Sequence, residues 1–189
     1  MTNKGKYYES QFEEATIKLL REAHWQYAFG DDIHRKYTDP LIEEDLRNFL
    51  AVQYKDKNLT TSEMDSIVAN LRNTGGQNDY YALRNTFLLY RDGYDFAYSD
   101  GRSNPFRLEY IDFEHPDHNI FRCVNQFVME QGRENRRPDI LLFINGIPVC
   151  IIELKNPTKQ NATIRDAHTQ ICTRYMRDIP ALLKYCALA

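Results

Sequence analysis

Apolar residues follow two rhythms along this chain. From Tyr7 to about His24 they recur at helical spacing, with Phe12, Ala15, Thr16, Leu19, Leu20 and Ala23 on one face, which predicts an amphipathic helix. Trp25 to Gly30 reads as a short extended piece. Three more helices are expected. Asp39-Pro40 supplies an N-cap and a proline at the first helical position for a helix carrying Leu41, Ile42, Leu46, Phe49 and Leu50. Thr60 and Glu63 form a capping box ahead of Met64, Ile67, Val68 and Leu71, and Gly75-Gly76 breaks that helix. Tyr81 to Tyr90 is the third, stopped at Gly93. After Tyr94 the rhythm is that of strands. Phe106, Leu108 and Tyr110 alternate, and Phe121 to Met129 reads as a further strand. Ile140 to Ile144 and Ile147 to Ile152 are almost unbroken apolar runs around Asn145-Gly146, the strongest short hairpin signal, and unbroken runs suit strands buried on both faces. Thr163 to about Arg177 is read as a helix ending near Pro180. A last apolar run, Leu182 to Ala189, stops as though inside a strand, so the natural chain is expected to continue.

The bulk numbers narrow the class. The 189 residues, 42% hydrophobic and 27% charged, suit one soluble domain with a good core. A net charge of −3 gives no global basic field for nucleic acid. Cys123, Cys150, Cys172 and Cys186 form no C-x-x-C pair and read as buried, reduced thiols of a cytoplasmic protein. No apolar run reaches transmembrane length, so no membrane partner is expected. No phosphate-binding loop is present, so this chain alone should not use ATP.

Polar groups enter the hairpin only at its ends. Asp139 opens the first strand, and Glu153 and Lys155 close the second on a shared face. Pairing through Asn145-Gly146 brings all three to one sheet edge. Two converging carboxylates repel unless a cation joins them, and hard oxygen donors suit Mg2+ or Mn2+. Arg133, Arg136 and Arg137 cluster just before Asp139, placed for phosphate contact. Between 155 and 177 lie Lys155, Lys159, Arg165, Arg174 and Arg177 against Asp166 alone, a local basic excess in an acidic chain that suits a phosphate backbone. His115, Asp117 and His118 share a loop, but their spacing fits no standard zinc pattern and no cysteine assists; zinc is not expected there.

Pro138-Asp139 followed by Glu153-Leu154-Lys155 resembles the PD-(D/E)xK nuclease signature. With Asn125-Gln126-Phe127, Arg137-Pro138-Asp139 and Ile152-Glu153-Leu154-Lys155-Asn156-Pro157, the chain resembles the N-terminal nuclease domain of the R (motor) subunit of type I restriction enzymes. The resemblance runs from about Tyr7 to the end and is strongest from Asp112 to Tyr175. It implies an α/β, restriction-endonuclease-like core: a central mixed β-sheet flanked by helices, with a helical subregion inserted at about 39–92, as one domain over 1–189. It implies that Asp139, Glu153, Lys155 and Gln170 are catalytic, and that Asp139 and Glu153 hold Mg2+ (or Mn2+) with a glutamate of the first helix, Glu13, or next Glu9. Arg136, Arg137, Lys159, Arg165 and Arg174 are assigned to DNA. It also implies double-stranded DNA and the modification and specificity subunits as partners, cleavage without sequence preference, and ATP-driven translocation only in the full-length subunit. Related nucleases carry Gln-x-x-x-Tyr. Here Tyr175 lies one position further from Gln170, so the two are expected to align less well on one helix face. Rival readings are a stand-alone nuclease of the same superfamily, an inactive DNA-binding or assembly module, and a structural domain with an ion pair at a strand end.

Overall fold

Asn145 and Gly146 both adopt positive φ, 51° and 74°, in a computed structural model of the chain that describes residues 4–155 and 164–188, with side chains from residue 10 onward. They join β7 (Ile140–Ile144) to β8 (Ile147–Ile152), paired antiparallel with Ile140 opposite Ile152. A Cβ on Gly146 would lie 2.1 Å from the Ile42 carbonyl oxygen, so glycine is required for space as well as for φ. Asn145 is fully buried: its side chain accepts from the Ile120 N–H (2.7 Å) and donates to the Tyr110 carbonyl (2.9 Å) and to Asn119 Oδ1 (2.7 Å).

The other edge of β7 pairs antiparallel with β4 (Phe121–Asn125), and β1 (Gln26–Phe29) runs parallel to β4. The order β1-β4-β7-β8 is a mixed sheet. Alternate side chains of the hairpin enter two cores. Leu141, Phe143 and Ile151 pack with Val124, Phe127, Ile171, Tyr175 and Leu182. Ile147 packs on the other side with Leu46, Leu50, Ile67, Leu71 and Tyr110. This double burial is what the unbroken apolar runs predict.

The second core belongs to the helical subregion: α2 (Glu43–Gln53), α3 (Thr61–Asn73) and α4 (Asp79–Asp92). The Thr60/Glu63 capping box forms in both directions, and Gly93 ends α4 at φ 67°. The start of α2 differs from expectation. Asp39 does accept from the Leu41 N–H (3.1 Å), but the Ile42 N–H donates to the Gly146 carbonyl (2.9 Å), and the helix begins only after this link to the hairpin turn.

Strands β2 (Tyr94–Phe96) and β3 (Phe106–Leu108) form a separate ribbon, as do β5 (Met129–Gln131) and β6 (Glu134–Arg136). The expected 121–129 strand is therefore two elements, parted where Gln126 turns left-handed at φ 57°. After the hairpin come α5 (Ile164–Thr169), a π-helical segment (Gln170–Tyr175), α6 (Met176–Asp178) and α7 (Pro180–Leu183). The final apolar run is thus partly helical, and its end lies along β8: Leu188 bridges Cys150 in parallel, and the Ile151 N–H donates to the Leu188 carbonyl (3.1 Å).

Helix α1 (Lys4–Glu22) presents a different face from the one its apolar spacing predicts. Phe12 and Leu19 are 45% and 66% exposed, whereas Glu13, Thr16, Ile17 and Leu20 are half-buried. The reason is polar: Glu13 is drawn towards the end of β4.

Candidate active site

The strand register collects the end of β4, the start of β7 and the end of β8 at one edge of the sheet, since Asn125 faces Ile140 and Ile140 faces Ile152. Asp139, Glu153 and Lys155 therefore converge there. The Leu154 N–H donates to Asp139 Oδ2 (2.7 Å), and Lys155 Nζ lies 2.9 Å from Glu153 Oε1. The Glu153 side chain is only 4% exposed. Burial, and then the neighbouring Glu153 carboxylate, raise the Asp139 pKa from 3.8 to about 6, while the Leu154 N–H and Lys155 act in the opposite direction. A buried carboxyl beside a second one behaves in this way, and a bound divalent cation would favour the ionised form of both.

Glu13 approaches from α1. Its Oε1 accepts from Asn125 Nδ2 (2.8 Å) and Gln126 Nε2 (3.1 Å), and the Gln126 N–H donates to the Asp139 carbonyl (3.2 Å). Tyr27 donates to Asn125 Oδ1 (3.0 Å), fixing the amide that holds Glu13. Glu13 thus faces the cluster through an amide relay. Glu13, Asp139 and Glu153 do not bring one oxygen each within 4.8 Å of one another. Two carboxylates with open positions still fit Mg2+, which keeps several waters and seldom takes an all-protein cage.

The Gln170–Tyr175 spacing turns out to be the informative departure. Residues 170–175 are π-helical, and the wider turn places partners five apart where an α-helix places those four apart. Gln170 Nε2 donates to the Tyr175 hydroxyl (2.7 Å) and to Glu153 Oε1, and Tyr175 donates to Glu153 Oε2 (3.0 Å). The misalignment expected from the spacing is absent, and the extra residue is taken up as a bulge. Tyr175 is 3% exposed, and burial followed by the Glu153 charge pushes its pKa up, so it stays a donor. The sequence reading left out Tyr175, Asn125 and Gln126 as site residues. Asn125-Gln126 carried part of the resemblance, but only the fold aims these amides at Glu13.

Beside Gln170 and Tyr175 an open groove of about 520 Å3 is lined by Asn135, Arg136, Arg137, Arg174 and Arg177. Arg137 and Arg174 are exposed. Arg136 is committed elsewhere: its Nε donates to Asp178 Oδ2 (2.7 Å) and an Nη to Glu134 (2.8 Å). Arg177, from the expected basic segment, also lines the groove and is itself paired with Asp178, its Nε 2.6 Å from Oδ1. Arg165 is exposed on α5, and Lys159 lies outside the described residues. No helix among the described residues is long and apolar enough to cross a membrane.

A family model described as the type I restriction enzyme R protein N terminus matches residues 6–189. The chain belongs to this family. It is 31% identical over 188 residues to the type I restriction enzyme HindI endonuclease subunit of Haemophilus influenzae, an alignment covering 94% of the chain and 17% of that protein. It is also 31% identical over 181 residues to the putative type I restriction enzyme MjaIXP endonuclease subunit of Methanocaldococcus jannaschii, covering 92% of the chain and 17% of the relative. The chain thus spans about 17% of the length of these R-protein relatives, and the mixed sheet with flanking helices is the restriction-endonuclease-like architecture of its N-terminal region.

Proposed function

We propose that this chain is the nuclease domain of a type I R subunit: a Mg2+- or Mn2+-dependent endonuclease that hydrolyses DNA phosphodiester bonds without sequence preference. In the full-length subunit cleavage would be coupled to ATP-dependent translocation, in a complex with modification and specificity subunits. The observation that carries this reading is the convergence of Asp139, Glu153 and Lys155 at one sheet edge, with an Asp139 pKa raised to about 6. Perturbed carboxyls of this kind cluster at functional sites.

Each residue has a task. Asp139 and Glu153 would hold the ion, with Glu13 next to them. When bound, the ion supplies Lewis acidity to the scissile phosphate and the attacking water. Glu153 is kept in one orientation by Gln170, Tyr175 and Lys155. Lys155, a compact charge on a flexible stem, orients the attacking water or offsets charge developing on the phosphate. Arg137, Arg174 and Arg177 line the adjoining groove, where guanidinium groups suit a phosphate backbone.

The test uses the full-length subunit assembled with its modification and specificity partners. Asp139→Ala and Lys155→Ala should abolish DNA cleavage while ATP-driven translocation continues. Cleavage that survives Asp139→Ala would refute the assignment. Calorimetric titration of Mn2+ into this chain, lost in Glu153→Ala, would place the cation. Equal heats in both would favour an assembly module.

A further inference from the structure

We propose a second cation site, for a borderline divalent transition metal such as Zn2+, made by Asp112, His115 and His118 at the far end of the hairpin from Asp139. One ligand atom from each of the three lies within 4.8 Å of the others, the single such group of His, Cys, Asp or Glu side chains among the described residues. His115 Nδ1 is 3.6 Å and His118 Nδ1 3.0 Å from the same oxygen, Asp112 Oδ2. Donors bound to one ion at about 2.0–2.2 Å stand about 2.9–3.6 Å apart across octahedral and tetrahedral geometries, so both separations already match a shared ion. The imidazole rings stack with centroids 4.9 Å apart and planes 19° apart, and both Nδ1 atoms approach the same Asp112 oxygen.

The acid that completes the group is not the one the sequence offers. Asp117 lies between the histidines, yet Asp112 is brought in by a 3-10 turn over Pro116–His118. Asp112 is also held as a metal ligand needs to be. Its side chain is 5% exposed, Oδ1 accepts from the His115 N–H (2.8 Å), and Oδ2 accepts from Gln53 Nε2 (3.0 Å). Its backbone N–H and carbonyl are both held by the Asn119 amide, which in turn meets Asn145 at the hairpin turn. Such outer partners fix the orientation of a ligating carboxylate. The histidine side chains are 60% and 51% exposed, leaving an open side for water. Two imidazoles and one carboxylate favour Zn2+, Co2+ or Ni2+, whereas the all-oxygen cluster at Asp139 favours Mg2+. Through Asp112 and Gln53 a bound ion would pin the 112–119 loop to α2 and to the hairpin turn.

The site shares no residue with the nuclease cluster, so its test is independent of that reading. Zn2+ is titrated calorimetrically into the untagged chain in millimolar Mg2+, and again into Asp139→Ala. Co2+ absorbance is recorded in parallel. One equivalent should bind in both, with visible Co2+ bands. His115→Ala and His118→Ala should each weaken binding at least tenfold, and the Zn2+-induced rise in melting temperature should vanish in the double variant. Both histidines are exposed, so the variants should fold, as circular dichroism would verify. Binding unchanged in either histidine variant, binding lost in Asp139→Ala, or no binding at all would overturn the proposal.

Discussion

Replacing Asp139 by asparagine should stabilise the metal-free chain. The folded carboxyl titrates at about 6 instead of 3.8, because burial and then Glu153 disfavour its ionised form. Between those values the folded chain holds a proton that the unfolded chain has released. Stability therefore falls as pH rises through that window, and the whole penalty is present at neutral pH. At 1.36 kcal/mol per tenfold, the gap amounts to about 3 kcal/mol. Asp139 is partly open to solvent, and screening lowers the figure to about 1–2 kcal/mol. Asp139→Asn keeps the shape and an acceptor for the Leu154 N–H while removing the charge. In chelator at about pH 7.5 its melting temperature should exceed wild type by roughly 2–6 °C. At about pH 4 the gain should disappear, since the wild-type carboxyl is then largely protonated in the folded state. Thermal melts by circular dichroism at both pH values decide it. A variant that melts lower than wild type at neutral pH would mean that Asp139 is a net favourable ion-pair partner of Lys155, and the argument for a cation at this edge would lose its electrostatic footing.

Other consequences are equally concrete. Tyr175→Phe removes one donor to Glu153 and the acceptor for Gln170; leaving these buried groups short of a partner should cost about 1–3 kcal/mol in urea unfolding, and cleavage by the assembled enzyme should fall about tenfold or more. Deleting Cys172, which is exposed within the π-helical segment, should return the helix to α spacing and leave Gln170 and the tyrosine on one face, with folding and cleavage retained; loss of either would show that the bulge itself is needed. Gly146→Ala would set a Cβ 2.1 Å from the Ile42 carbonyl at φ 74°, and roughly 2–4 kcal/mol of stability should go, measured by the same unfolding assay. Arg174→Ala should weaken DNA binding by a similar factor on every sequence and lower the slope of log affinity against log salt by about 1, as for a phosphate contact.

The elements that could be read from sequence are those whose causes are local. The β7–β8 hairpin follows from Asn145-Gly146 between apolar runs, and α3 follows from a capping box whose ends, Thr60 and Glu63, lie three positions apart. Asp139, Glu153 and Lys155 come together because the hairpin register alone decides it. What could not be read depends on partners far along the chain. The buried face of α1 is set by Glu13, whose ligands are Asn125 and Gln126. The late start of α2 is set by a bond from Ile42 to Gly146. Arg136 reads as a phosphate ligand beside Asp139, and only the fold shows that it also pairs with Asp178. The π-helix is the clearest case. Counting residues from Gln170 to Tyr175 assumes an α-helix, but both side chains bond to Glu153 on β8, and these tertiary bonds offset the small local penalty of a wider turn.

The charges at this edge also imply an order of binding on the proposed reading. Glu13, Asp139 and Glu153 face inwards with Lys155 as the near cation, already 2.9 Å from Glu153. A phosphodiester entering from the arginine-lined groove brings another negative charge towards Asp139, whose raised pKa reports how poorly that position tolerates its own. Arg137 and Arg174 can hold the DNA backbone nearby, but not neutralise the carboxylates. A divalent cation at Asp139 and Glu153 should therefore strengthen DNA binding, and by linkage DNA should strengthen binding of that same cation by the same factor. Catalytically inert Ca2+ in place of Mg2+ makes this measurable without cleavage. DNA affinity of the wild-type chain should rise with Ca2+, whereas Glu153→Ala should bind DNA equally well with and without it. A wild-type affinity indifferent to Ca2+ would mean that DNA and cation do not share the site, and that the groove and the carboxylate cluster act independently.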